Sequence, residues 1–314
     1  MTLIRYKSDD KFFMESDVLR VEMDPAEGGK ICSFVSRQTQ KEFFYQDQRK
    51  EFSGDGYSDH DISGFDECFP TVWPCKYPDG KRRGMSLADH GYLWQGPWEV
   101  QAEKDHVLMH KDVPELQCSF ERRCFLDTAQ SLQLDYLIKN NGEESLKYIY
   151  SAHPMLAADE QTKLILPEEI NKMFVFVGLN TPGLVDKTWI DWPRAGKAGL
   201  EAPFSEQKCS VVKLYSDQLK EGRAAVYHPD VREELQFEFD TDNLPHLGVL
   251  IYQGYDTEEN GPFRKEIFLG LEPATGIGDD LPTCESTGTI KEIQPDQEVR
   301  FWIRLKLQSR ISGD

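Results

Sequence analysis

The sequence predicts an all-β protein built as a large antiparallel β-sandwich. Three observations predict it. Apolar residues alternate with polar ones, as at Leu132, Leu134, Tyr136 and Ile138 and at Val299, Phe301, Ile303, Leu305 and Leu307. Turn residues recur between such runs at the intervals expected of a sandwich. No segment shows an amphipathic helix longer than about three turns. At 314 residues and 39% hydrophobic content the chain can build a sizeable core, and all-β architectures of roughly 200–250 residues or more form single units. A single domain over residues 1–314 is therefore expected, with no repeat or low-complexity linker dividing it.

In chain order, Val18–Met23 and Lys30–Val35 read as short strands separated by the turn residues Pro25 and Gly28-Gly29. Residues 46–62 are polar, acidic and glycine-containing, which predicts a loop. Gly64–Pro74 carries too much proline for a central strand or a helix, and its aromatics suit a pocket wall. From Trp98 to Tyr150 the pattern is again β. Asn140-Asn141-Gly142 predicts a tight turn that pairs the strand before it with the one leading to His153 as a hairpin. Residues 157–222 carry the fewest signals. Thr181-Pro182-Gly183 and Asp191-Trp192-Pro193-Arg194 read as turns, and Trp189 and Trp192 as candidate pocket walls. Strands resume at Ala224–Tyr227, at Leu235, Phe237 and Phe239, and in the apolar run Leu247–Tyr252.

A formal net charge of −19 disfavours nucleic acid and anionic membrane surfaces as partners. The seven cysteines (32, 68, 75, 118, 124, 209 and 284) are odd in number and contain no CxxC pair. That argues against a disulfide scaffold and a tetrathiolate zinc site. Residues 1–7 hold no apolar leader segment, and no stretch reaches membrane-spanning length. A reduced cytoplasmic compartment is expected.

Three segments carry candidate chemistry. In Tyr148–Leu156 a histidine precedes a proline, which imposes extended geometry on His153 and predicts it at the lip of a sheet. In Asp89-His90-Gly91 a second histidine is followed by Trp94 and Trp98. Aromatic faces beside hydrogen-bonding groups suit a sugar, whose C–H face packs on rings while its hydroxyls demand partners. Glu272 closes the buried run Ile267–Leu271, and partial desolvation there raises a carboxylate's basicity. Trp73, Trp94 and Asp89 are candidate substrate contacts. Lys76, Lys81, Arg82 and Arg83 form a basic patch around Pro78-Asp79-Gly80. It suits either an acidic group on the sugar or an ordinary solvated turn. Asp55, Asp59, Asp61 and Asp66 lack the EF-hand spacing, and no G-x-S-x-G elbow occurs.

Gly28-Gly29-Lys30-Ile31, Asp89-His90-Gly91, His153-Pro154 and Leu271-Glu272-Pro273 occur in the order and rough spacing of the aldose 1-epimerase (galactose mutarotase-like) family, which the chain resembles. The resemblance implies a large galactose mutarotase-like sandwich and an isomerase acting on a free sugar. It assigns Glu272 as general base, His153 as general acid and His90 as a group hydrogen-bonding the sugar near its ring oxygen. Ring opening, rotation about C1 and reclosure need no metal or redox cofactor. The chain departs from the family pattern in Met155-Leu156-Ala157 after His153-Pro154 and in Tyr92 after Gly91. The family's hydroxyl-binding aspartate has Asp186 and Asp191 as candidates. Alternatives are a sugar-binding or sugar-sensing protein without turnover, a hexose-phosphate or acidic-sugar epimerase using Lys76, Arg82 and Arg83, and a polysaccharide-processing enzyme on a related sandwich.

Overall fold

The computed structural model describes residues 3–6, 11–49, 51–52, 54–193, 210–254 and 266–310. Arg194 and Cys209 lie outside them. Two large antiparallel sheets dominate. The eleven-stranded sheet runs Leu3–Tyr6, Phe12–Glu15, Leu19–Asp24, Lys30–Ser36, Phe65–Cys68, Ser151–Ala157, Ile267–Ala274, His246–Gln253, Ser210–Ser216, Lys172–Leu179, Thr188–Asp191. The eight-stranded sheet runs Lys163–Ile165, Arg223–His228, Glu233–Phe239, Glu298–Ser309, Ser131–Asn140, Cys118–Thr128, Val107–Val113, Glu99–Ala102. The α-helix among the described residues is the short Leu281–Ser286, and none is long and apolar enough to cross a membrane.

The apolar faces of both sheets meet in one core that contains Phe34, Phe65, Phe120, Leu134, Phe237 and Ile303. Alternation along each strand supplies it, since successive side chains point to opposite faces. One polar node interrupts this core. Arg122, on the smaller sheet, donates to Glu67 Oε1 at 2.9 Å and to the Gly29 carbonyl. Tyr136 donates to the same carboxylate at 2.8 Å, and so does Tyr150. All four side chains are buried. Glu67 therefore faces the core, and its neighbour Asp66 faces the opposite side of the larger sheet.

Three expectations about local structure are corrected. Phe65–Cys68 is a central strand despite the prolines around it, because its pairing ends before Pro70. His153 lies inside a central strand and not at a lip. Pro154 pairs with Phe65 on one side, and the ladder on the other side resumes at Met155. The Asn140–Gly142 turn does not close a hairpin with the His153 strand. Ser131–Asn140 pairs with Cys118–Thr128 and Glu298–Ser309, while Ser151–Ala157 belongs to the other sheet. The Asn140 side chain bonds the carbonyls of Glu144 and Ile293 at 2.8 and 2.9 Å, which fixes the chain as it leaves one sheet for the other.

Candidate active site

Strand register assembles the site. Asp66 pairs with His153. On the other edge of the same strand, Ser151↔Ala274 and Met155↔Gly270 bracket His153 and put it opposite Glu272. Directly opposed residues on antiparallel strands share a face, with Cβ atoms about 4.5–5.5 Å apart. Beyond Glu272 the same row continues through Gly248 to Tyr215.

His90 reaches this row from a loop. It adopts a left-handed backbone (φ 57°), as does Gly91 (φ 71°). A non-glycine residue there is uncommon and concentrates at functional positions. The turn lays the His90 ring edge-on to His153, 4.8 Å between centroids, with Asp89 Oδ1 at 3.0 Å from its Nδ1. Gly91 is obligatory, because a Cβ there would stand 1.9 Å from the Phe69 carbonyl oxygen. Gly91→Ala should cost about 1–3 kcal/mol and move His90 with it. Urea denaturation measures the first effect, and the chemical shifts of the His90 ring report the second.

Tyr57 covers the two histidines. It lies in the loop predicted over 46–62, on a 3-10 turn at Tyr57–Asp59. Its ring stacks on His90 at 3.7 Å between centroids. Its hydroxyl is 3.0 Å from Asp66 Oδ2 and 3.1 Å from His153 Nδ1. Which neighbour accepts that proton fixes the tautomer of His153, and with it whether Nε2 is a donor or an acceptor. Lys30 stands 3.6 Å from Asp66 Oδ2 and donates to the Asp61 carbonyl.

Glu272 is fully buried. Lys213 pairs with its Oε2, and Ser151 Oγ is 3.3 Å from the same oxygen. Its Oε1 has no hydrogen-bond partner among the described residues. Lys213 also faces Asp279 Oδ1 at 3.7 Å, to which Tyr215 donates. Burial raises the Glu272 carboxyl above the ordinary carboxylate range, with Lys213 pulling the other way. Burial opposes the charge on Lys213, but Asp279 and Glu272 carry its pKa above the ordinary lysine value. His153 is held well below its ordinary value, first by burial and then by His90, Lys213 and Lys30.

The remaining sequence candidates divide. Trp94 belongs here: it meets Tyr57 edge-on at 5.3 Å and its indole donates to the Asp89 carbonyl at 3.0 Å. With Lys30, Tyr57, His60, Asp61 and Asp66 it lines a cleft of about 460 Å³. Trp73 is exposed and packs against Phe176 at 4.9 Å. Phe176 also carries the Lys187 ammonium over its ring at 3.2 Å. The basic patch is not gathered at the histidines. Lys76 bonds Ser86, Arg82 bonds the Leu116 carbonyl at 2.8 Å, and Arg83 is exposed. Among the described residues, the cations beside the cluster are Lys30 and Lys213. Neither candidate aspartate joins it, since Asp186 accepts from Gly178 N and Asp191 is exposed in an edge strand. Cys68 does: its Sγ and the ligating nitrogens of His90 and His153 lie within 4.8 Å of one another, a donor set a soft cation could use. Tyr57, Asp66, Lys213 and Asp279 were missed. A lysine interrupting the apolar run Val211–Tyr215 was the available signal for Lys213.

Comparison with solved structures adds the fold. A galactose mutarotase-like protein from Clostridium acetobutylicum matches at TM-score 0.63 and 11% identity, over 99% of this chain and 98% of its own. Another from Lactobacillus casei matches at TM-score 0.61 and 14% identity, over 98% and 100%. The chain has the galactose mutarotase-like fold. The Slr1438 protein of Synechocystis sp. PCC 6803 is similar at TM-score 0.68 and 17% identity, over 99% of this chain and 96% of its own. No protein-family model matches the sequence, and no curated protein matches it. In this mutarotase-like frame the His153–Glu272 row lies across central strands of the larger sheet, flanked by the loops that carry Tyr57 and His90.

Proposed function

We propose that this mutarotase-like protein is an aldose 1-epimerase, with Glu272 and His153 as its proton-transfer pair. The observation that carries the reading is their placement opposite one another on adjacent strands, with His90 against His153. Both can then reach one pyranose ring, which acid–base catalysis requires. Glu272 Oε1 takes the proton of the anomeric hydroxyl, and His153 gives one to the ring oxygen. The ring opens, C1 rotates, and reclosure with the roles reversed delivers the other anomer. Tyr57 stacks on His90 as a sugar ring would, so the substrate takes the place of the Tyr57 side chain. Trp94 then offers the apolar face.

The test is anomer exchange followed by NMR across neutral aldoses, sugar phosphates and acidic sugars. Acceleration on one of them is expected. Saturable binding without acceleration favours a sugar-binding protein without turnover, a reading to which the buried, ion-paired Glu272 also lends itself. The pH profile follows from the shifts described above. His153 takes up its proton only below the ordinary histidine range, and Glu272 loses its base form already above the ordinary carboxylate range, so the two limits close on one another. The rate should therefore peak on the acid side of neutrality and decline above pH 7, by up to about tenfold per pH unit. A rate that stays flat to pH 9 would reject His153 as the acid.

A further inference from the structure

A second cluster lies away from His90 and His153, and it leaves a buried group unexplained. His228 closes the strand Arg223–His228 and is 0% exposed. Neither of its ring nitrogens has a hydrogen-bond partner among the described residues. A buried imidazole without partners is rare, and a missing ion is one of its ordinary explanations. Its ring packs edge-on to Phe43 at 5.4 Å between centroids, which fixes its orientation. Two carboxylates converge on it. Asp230 follows in the turn toward Glu233–Phe239. Asp159 sits in the turn between Ser151–Ala157 and Lys163–Ile165, and the pairing Lys163↔Tyr227 brings that turn alongside the end of the His228 strand. One ligand atom from each of Asp159, His228 and Asp230 lies within 4.8 Å of the other two.

We propose that Asp159, His228 and Asp230 form a binding site for a first-row divalent transition cation, with Zn²⁺ as the ion to try first. An imidazole nitrogen among the ligands selects against Ca²⁺ and Mg²⁺, which take oxygen. Two ligands each about 2.1 Å from zinc stand roughly 3–4 Å apart, so a small side-chain rotation closes the present spacing. The Asp159 turn is already ordered: Asp159 Oδ1 accepts from Gln161 N at 2.8 Å and Thr162 Oγ at 3.0 Å. The Lys41 ammonium lies 3.4 Å from Asp230 Oδ2, at the edge of the cluster, and a bound dication displaces it from that oxygen. The cation would fasten the crossover between the two large sheets to the turn after His228. Its effect is on stability, and it is independent of the reaction proposed for the cleft.

The experiment is titration of chelator-treated full-length protein with Zn²⁺ by calorimetry, paired with thermal denaturation and with Co²⁺ absorption. One equivalent should bind and raise the melting temperature, with no such rise in Ca²⁺. His228→Ala should weaken binding at least tenfold and abolish the rise. Asp230→Asn, an exposed change that leaves the core untouched, should do the same if His228→Ala fails to fold. The Co²⁺ spectrum should lack a thiolate charge-transfer band. That band would place the metal at a cysteine, with Cys68, His90 and His153 as the candidate set, and overturn the proposal. Absence of Zn²⁺ binding, or binding unchanged in both variants, would overturn it as well.

Discussion

Glu272→Gln should slow anomer exchange by about 10²–10⁴-fold, the usual contribution of one positioned proton-transfer group. It should also destabilise the protein, because it leaves the buried Lys213 ammonium short of its closest counter-charge. Breaking a buried ion pair from one side costs about 3–5 kcal/mol. Asp279, 3.7 Å from the same ammonium, should hold the loss toward the lower end of that range. A second variant separates the two effects. Lys213→Met in the Glu272→Gln background removes the uncompensated cation but leaves buried Asp279 with the Tyr215 hydrogen bond in place of its cation. It should therefore recover part of the lost stability and none of the lost rate. Calorimetry and NMR exchange rates on the same samples decide it. Full activity in Glu272→Gln would remove this carboxylate from the mechanism whatever the stability data say.

The other large effect is expected on the core side of the larger sheet, behind the cleft. Arg122→Ala should destabilise the fold by about 3–5 kcal/mol. Glu67 would lose its guanidinium partner in a core where it is fully buried, and the Gly29 carbonyl would lose a donor. Against a typical total of roughly 5–15 kcal/mol, that is a large share. Urea denaturation should show a lower midpoint with an unchanged slope. Adding Glu67→Gln to an Arg122→Met variant should soften the loss, because the two tyrosines could then bond a neutral amide. A loss of unfolding free energy below about 1 kcal/mol in Arg122→Ala would mean that the node contributes little beyond packing.

Much of the fold was readable because it rests on alternation. Leu132 to Ile138 and Val299 to Leu307 lie in strands that pair with each other, as their period of two required. His90, His153 and Glu272 were readable as punctuation: a histidine before a proline, a histidine before a glycine, a carboxylate closing an apolar run. What surrounds them was not, because it comes from register. Asp66 reaches His153 through a strand whose neighbouring prolines masked it. Tyr57 comes from a polar loop whose composition says nothing of where its one turn folds back. The Asn140–Gly142 signal was a genuine turn, but a turn fixes a change of direction and not the sheet that the next strand joins. The basic patch stands apart from the histidines for a related reason. Nearness in sequence to Cys68 and His90 did not bring Arg82 to them, since its guanidinium is held by Leu116 and Gln117.

The glycines around Glu272 carry a consequence for how the site tolerates change. Gly248 separates it from Tyr215 across the sheet, and a methyl group on Gly270 would come within 2.7 Å of Glu272 Oε1. Bare main chain thus bounds the carboxylate on these sides, while Lys213, Ser151 and Asp279 set its electrostatic surroundings. Location and ionisation are governed by separate parts of the molecule. A substitution at 279, which does not touch the carboxylate directly, should retune the acidity of the carboxyl with its coordinates preserved. Alanine at 270 should do the reverse, shifting the group while its neighbouring charges stay as they are.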